Sequence, residues 1–537
     1  MVRTLPFHGK DMGSIPIEDI KYINLSLFMD FLILKSFFPE FFLSLAILLQ
    51  LMFNARLVNN LGFNFPLFDK EIFWQTFFIL FCVLLLLWNL KIEGFFSTFL
   101  FLNDESGRLI KLMFILSCLV VSFVLLRSFS LQKLNFFEYF SILLLSILSL
   151  LLLISSSDLM STYLVIEMQA LCFYILASFR RNSAFSTEAG LKYFIAGAFI
   201  SGIFLLGASL IYGSLGTLNF NSLSLLLSFN LNEELIYVKM FSLIGVLLIS
   251  ITLLFKVAAA PFHFWAPDVY EGSPLSSTII FSILPKLVIF SFFIKWLCVI
   301  SSLFYLIKDF FILIGLFSVL IGTFFALSQK RMKRLVIYSS IAQIGFLVAA
   351  LETGSISGFS SIFFFLIIYI ISSILVWNHL TLFYTFQKIG NFFVGKTLSP
   401  FFLTSLGNLF KTNSLWAFSF LFLFFSIAGI PPFSGFLAKI FILVGLIESK
   451  QLIGSTFLIL ISAISVFYYI RVVKVVFFES KDLQDNTEQF QTTFNTGFFN
   501  FDYLIISCSL FLLVFLFFYP TLLMLLCQYT VLSSFFY

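Results

Sequence analysis

Cysteine, histidine and charge are all scarce in this chain. The six cysteines (Cys82, Cys118, Cys172, Cys298, Cys508, Cys527) stand singly in apolar runs, with no CxxC and no Cys/His cluster. No metal or iron–sulfur site is therefore expected from this chain alone; a lone thiol in such a setting is a small buried hydrophobe. The three histidines, His8, His263 and His379, are too dispersed to ligate haem or a metal. No Walker loop appears, so ATP does not drive the protein, and no GxGxxG follows a strand, so no dinucleotide site is expected. Charged residues make up 11% of the chain and the formal net charge is only +5. Nucleic acid is not expected as a partner: the basic run at Gln329–Arg334 lies between two apolar stretches, where it acts as a topology determinant.

What is present is apolar. Hydrophobic residues fill 61% of 537 positions, 82 of them phenylalanine, and the mean hydropathy is +1.08. These values belong to an integral membrane protein. Counting apolar stretches of about twenty residues predicts an all-α integral membrane fold of about fourteen transmembrane helices. Their centres fall near residues 40, 80, 118, 144, 168, 200, 248, 287, 318, 343, 372, 425, 464 and 514. The first span is long enough to tilt or kink at Pro39. Every span must be helical, because lipid satisfies no backbone polar group.

Residues 1–24 read as a polar extension, and Asp11, Glu18 and Asp19 within it argue against a matrix-targeting presequence. Polar loops are expected at about 388–413 and 479–500. Basic residues concentrate in the loops that follow odd-numbered spans, Lys330, Arg331, Lys333 and Arg334 above all. The positive-inside rule puts those loops in the matrix or cytoplasm and both termini on the opposite side.

Lysines sit inside apolar spans beside proline breaks. Lys256 precedes Pro261 in FKVAAAPFHFWAPDVYEG, and Lys439 follows Gly429, Pro431 and Pro432 in SIAGIPPFSGFLAK. A proline removes an N–H, so Pro261 frees the carbonyl of Val257, while Pro431 and Pro432 free those of Ile427 and Ala428. Spans seven and twelve are thus predicted to be discontinuous. Each break is fourth in a run of five spans, four to eight and nine to thirteen. An odd number of spans inverts the second run relative to the first, as in secondary transporters. The division expected is an N-terminal unit of spans 1–3 over 25–130, five-helix units over 131–300 and 301–478, and a polar loop with a last span over 479–537.

A charge inside the bilayer costs at least several kcal/mol unless paired or wetted, and marks an ion pathway by default. A lysine near a helix end can instead snorkel to the headgroups; the break beside Lys256 favours the pathway. Lys286 follows Pro285 near the middle of the eighth span, and Glu167 is the only acid inside the fifth. Glu138 and His263 are secondary candidates, Glu138 near a span end and His263 in the irregular stretch after Pro261. Moving Glu167 towards or away from Lys256 changes how tightly that lysine holds a proton. A row Glu167, Lys256, Lys286, Lys439, linked by water, could then pass protons laterally and release them to one side. Driving a charge against about 100 mV takes roughly 2.3 kcal/mol, within reach of a few pKa units at about 1.4 kcal/mol each.

With these residues in view, four stretches carry a family resemblance: Ser186–Thr217, Leu253–Pro274, Arg331–Phe346 and Ser426–Lys439. The chain resembles the antiporter-like, proton-translocating subunits of respiratory NADH:ubiquinone oxidoreductase (complex I), of the subunit 2 or bacterial N type. The resemblance implies about fourteen helices with inverted five-helix repeats. It places Glu167, Lys256, Lys286 and Lys439 where that family carries its fifth-span glutamate and its lysines of spans seven, eight and twelve. It implies proton translocation coupled to electron transfer in other subunits, which would hold NADH, FMN, iron–sulfur clusters and ubiquinone. This chain would bind no cofactor. The implied partners are other membrane-arm subunits, sister antiporter-like subunits among them, and membrane lipids such as cardiolipin. The implied location is the mitochondrial inner membrane. The loop GNFFVGKTLSPFFLTSLGNLFKTN and the N-terminal extension depart from the family pattern. The alternative readings are a stand-alone cation/proton antiporter subunit and a scaffold that has lost pumping.

Overall fold

The computed structural model describes residues 35–61, 68–90, 96–97, 100–132, 138–228, 236–394, 402–407, 409–479 and 500–535. The extension expected over residues 1–24 lies outside them, as does the loop expected at 479–500 apart from its two ends. Thirteen helices among the described residues are long and apolar enough to cross a membrane. A fourteenth crossing is made of two shorter helices, Ser414–Ala428 and Ser434–Glu448.

In chain order the helices are α1 (Phe38–Leu61), α2 (Phe68–Asn89), α3 (Glu105–Gln132), α4 (Glu138–Ser155), α5 (Leu159–Ala177) and α6 (Ala184–Leu215). The short α7 (Phe220–Ser228) precedes α8 (Ile236–Val257), α9 (Trp265–Gly272), α10 (Leu275–Val299), α11 (Ser301–Ser328), α12 (Met332–Ala350) and α13 (Ile356–Val394). A single turn, α14 (Leu409–Thr412), leads into α15 (Ser414–Ala428) and α16 (Ser434–Glu448). Then come α17 (Leu452–Phe478), α18 (Asn500–Phe518) and α19 (Thr521–Phe535). A two-stranded hairpin, Phe96–Ser97 against Leu102–Asn103, joins α2 to α3.

Three boundaries differ from the hydropathy reading. Pro39 sits in the first turn of α1, where a missing N–H costs nothing, so the first span runs on from it to Leu61 rather than kinking at it. Residues 388–394, expected to open a polar loop, instead continue α13 to Val394. The last span continues past Pro520 into α19: Asp502 pairs with Arg127, late in α3, while Thr530 lies with Asp104, Ser106 and Ile110 at the start of α3. α18 and α19 therefore follow one another along α3 instead of folding back.

A membrane helix that carries polar side chains along its length belongs in the interior, away from lipid. α10 meets this description and is the axis of the bundle, buried from Leu275 to Leu297 but for Lys295. α3, α4 and α13 pack against it, whereas α2, α6 and α17 present large apolar side chains outward. Small residues let neighbours close in, as membrane interfaces require. A Cβ at Gly245 would meet the Gly207 carbonyl at 2.8 Å, so α6 and α8 touch backbone to backbone.

The connections sort onto two faces. After odd-numbered spans, Glu271 pairs with Arg331 and Arg334, and Asp268 lies 3.2 Å from Lys192 and 3.3 Å from Arg334. Arg180 reaches the Gln132 carbonyl and Arg331 bridges to Phe402 on the same face. After even-numbered spans, Phe101 bridges to Ser156, and Asp158 to Asn219. These are called below the odd-loop and even-loop faces.

Candidate functional site

Both discontinuous spans end their first half in the same way. α8 stops at Val257, and Ala258 takes a left-handed conformation with φ 67. Its N–H donates to the Phe255 carbonyl and that of Ala259 to the Leu254 carbonyl. In the other half of the chain, Gly429 has φ 83, and Ile430 donates to the Phe425 carbonyl. A left-handed residue followed by a hydrogen bond reaching five residues back is a Schellman termination. The helices thus close before Pro261 and Pro431 rather than at them. At the first break the Trp265 indole donates to the Phe255 carbonyl at 3.1 Å.

The second break holds its lysine directly. Lys439, on α16, donates to the Ala428 carbonyl at 2.6 Å, the group that Pro432 leaves without a helical partner. A Cβ on Gly429 would lie 3.1 Å from the Lys439 ammonium and 3.0 Å from its Cδ. Glycine at 429 therefore serves both the left-handed turn and the lysine's approach. The half-helices come so close that a Cβ on Gly435 would collide with the Ser426 carbonyl.

Glu167 and Lys256 open into one cavity of about 10 Å³, with Tyr163, Ser201 and Thr252 in its wall. That is room for about one water centre. Both side chains are half-buried, and Glu167 Oε1 is buried without a hydrogen-bond partner.

Lys286 is 3% exposed at the middle of α10. Its ammonium donates to the Tyr369 hydroxyl of α13 and stands 4.5 Å from the ring centroid; Tyr369 in turn donates to the Ser282 carbonyl at 3.3 Å. Tyr369 lines two cavities. One, of about 30 Å³, extends towards the odd-loop face between Tyr270, Ser339, Ser340 and Trp377. The other, of about 20 Å³, ends at Lys439. Gln343 and Ser372 line both. The structure thus brings Lys286 and Lys439 to one polar seam, whereas the Glu167–Lys256 cavity shares no wall residue with it.

The secondary candidates lie apart from this seam. Glu138 is exposed in the first turn of α4. His263 is buried in the first break with Nδ1 unpartnered, against the Phe264 ring. Among the described residues no three His, Cys, Asp or Glu side chains are grouped to hold a metal ion. The sequence reading missed Tyr369, Gln343 and Ser372, polar groups within apolar spans. It also passed over Lys111 and Lys295, which the rule applied to Lys286 would have found.

A family model described as NADH:quinone oxidoreductase/Mrp antiporter, TM, matches residues 156–467. The chain is 33% identical over 448 residues to NADH-ubiquinone oxidoreductase chain 2 of Oenothera berteroana, covering 82% of this chain and 88% of that one. It is 32% identical over 459 residues to NADH-quinone oxidoreductase subunit N of Pelagibacter ubique, covering 84% and 91%. Among solved structures, a chain of respiratory complex I from Thermus thermophilus matches with a TM-score of 0.69 and 25% identity, over 90% of this chain and 98% of that chain. This chain belongs to the NADH:quinone oxidoreductase/Mrp antiporter membrane family, among its chain 2 and subunit N members.

Proposed function

We propose that this chain is a proton-translocating membrane-arm subunit of a respiratory NADH:quinone oxidoreductase, with electron transfer carried out by other subunits. The observation that carries the reading is the seam from Lys286 through Tyr369 to Lys439. Water entering from the odd-loop face between Ser339, Ser340 and Tyr270 reaches the Tyr369 hydroxyl. A hydroxyl both donates and accepts, so it can hand a proton between Lys286 and the water beside Gln343 and Ser372. Lys439, held against the Ala428 carbonyl, exchanges protons with Lys286 through that water. Glu167 and Lys256 form the opposite end of the row. A change in their separation alters the charge that Lys286 feels, because Coulomb interactions inside a protein weaken only slowly with distance.

Further parts of the reading follow. NADH, FMN, iron–sulfur clusters and ubiquinone belong to partner subunits, and this chain binds none of them. Its partners are other membrane-arm subunits, sister antiporter-like chains among them, and lipids such as cardiolipin. It resides in the mitochondrial inner membrane with its odd-loop face to the matrix, on the positive-inside argument. Residues 131–300 and 301–478 act as two inverted units.

Lys286→Ala in the assembled complex tests the reading. Pumped protons per NADH should fall, with quinone reduction slowed if coupling is tight, while the complex still assembles. An unchanged yield would make the lysine structural and end the continuous-row mechanism. The family description also names Mrp antiporters, which supports a second reading as a self-sufficient cation/proton antiporter. Sodium–proton exchange by the purified chain in liposomes would favour that alternative.

A further inference from the structure

A second group of buried charges lies on the even-loop side, outside the row. Lys111 of α3 is closed into an ion pair with Glu40 of α1 at 2.5 Å and also donates to the Asn103 side chain at 2.6 Å. That pair acts as a clamp, since both partners are buried and the Lys111 ammonium is held by two acceptors. Its neighbours are different. Asp104 is 6% exposed, yet its Oδ1 has no hydrogen-bond partner. It lines a cavity of about 30 Å³ with Ser106, Ser291, Lys295, Thr530 and Ser534. A cavity of this size and polarity holds water. Lys295 and Ser534 in its wall are half-buried. Lys295 donates to the Ser156 carbonyl at 2.8 Å, in the turn between α4 and α5.

Lys295 and Lys286 stand on the same buried helix, nine residues apart, about 13 Å along its axis. Ser291 lies between them on α10 and opens into the Asp104 cavity. The bundle axis thus carries one lysine at its middle, beside the seam, and a second near the even-loop face, beside a carboxylate whose Oδ1 accepts no hydrogen bond and a water-sized space.

We propose that Asp104 and Lys295 form a proton-release station on the even-loop face, fed from Lys286 past Ser291. The inference rests on the proton-translocating reading above. In each step one N–H or O–H bond breaks as another forms, with no change of oxidation state. The Lys286 ammonium gives its proton to water at the Ser291 hydroxyl, and the Lys295 amine takes it up. Lys295 then protonates the Asp104 carboxylate, and the resulting acid loses the proton to water in the cavity. Glu40 Oε2 is also partnerless, but its carboxylate is already held by Lys111; Asp104 instead lines a water-sized cavity that it shares with Lys295, which is what a transient acceptor needs.

The decisive variant is Lys295→Arg, made in the assembled complex. Arginine keeps the positive charge and can still donate to the Ser156 carbonyl, but it does not give up a proton. Pumped protons per NADH should fall by the same share as in Lys286→Ala, and Ser291→Ala should lower the yield less. NADH oxidation with a water-soluble acceptor should stay at the parent rate. A yield preserved in Lys295→Arg but lost in Lys286→Ala would make Lys295 a structural clamp and overturn the station, leaving the main reading intact. A yield preserved in both would remove the main reading and the station with it. If Lys295→Arg fails to assemble, Asp104→Asn, of nearly equal volume, decides: an unchanged yield overturns the proposal, and a reduced one upholds it.

Discussion

At the scale of single residues, the rule that a buried charge marks function needs no structure. Lys256, Lys286, Lys439 and Glu167 stand out in the sequence because apolar residues flank them on both sides. What the sequence conceals is the partner. Tyr369 lies 83 residues from Lys286, and nothing local records the register between α10 and α13 that brings them together. Tyr369→Phe keeps the ring beneath the ammonium and removes only the hydroxyl. It should lower the pumped-proton yield several-fold while the complex assembles, because a buried donor left without its acceptor costs about 1–3 kcal/mol and the water seam loses its relay. A yield equal to the parent's would reduce the hydroxyl to packing. Gly429→Ala addresses the same pathway from the other end. The added methyl is strained at φ 83 and presses on the Lys439 ammonium, so it should uncouple pumping from NADH oxidation. A parent-like yield would show that Lys439 does not need its place against Ala428.

At the scale of elements, both broken spans were legible, since proline cannot continue a helix. Their detailed ends were not. A glycine at 429 advertises a left-handed turn, but Ala258 does so without any such signal; its φ 67 follows from the Schellman bonds to Phe255 and Leu254. The clamps between elements were hidden as well, because each joins residues distant in the chain. Arg127 of α3 and Asp502 of α18 pair while almost wholly buried, and Asn378 of α13 donates to the Asp502 carbonyl at 3.1 Å. Removing one partner of a buried pair strands the other, at about 3–5 kcal/mol. Asp502→Leu should therefore lower the thermal stability of the detergent-solubilised protein markedly, and Arg127→Met in the same chain should restore much of the loss. If the double variant melted no higher than the single one, the pair would not be what ties the last span to the bundle.

At the scale of the whole molecule, hydropathy was enough to count fourteen crossings, because each needs about twenty apolar residues in a row. It could not say which helix is the axis: α10 and α17 are about equally apolar by composition, yet only α10 is enclosed on all sides. The two-faced sorting of the loops supplies the last test. Lys330 is exposed on the odd-loop face and Lys450, just past α16, on the even-loop face. In sealed inner-membrane vesicles of known orientation, a membrane-impermeant thiol reagent should label Lys330→Cys from the matrix side only. Lys450→Cys should react from the opposite side only. This follows from the excess of lysine and arginine in odd-span loops, which insertion keeps on the side of synthesis. Labelling of both positions from one side would mean that the intervening crossings, the broken α15–α16 span among them, are miscounted. Labelling with the two sides exchanged would keep the fold and reverse the proposed direction, so that the Lys286 seam would open to the compartment the pump is meant to fill.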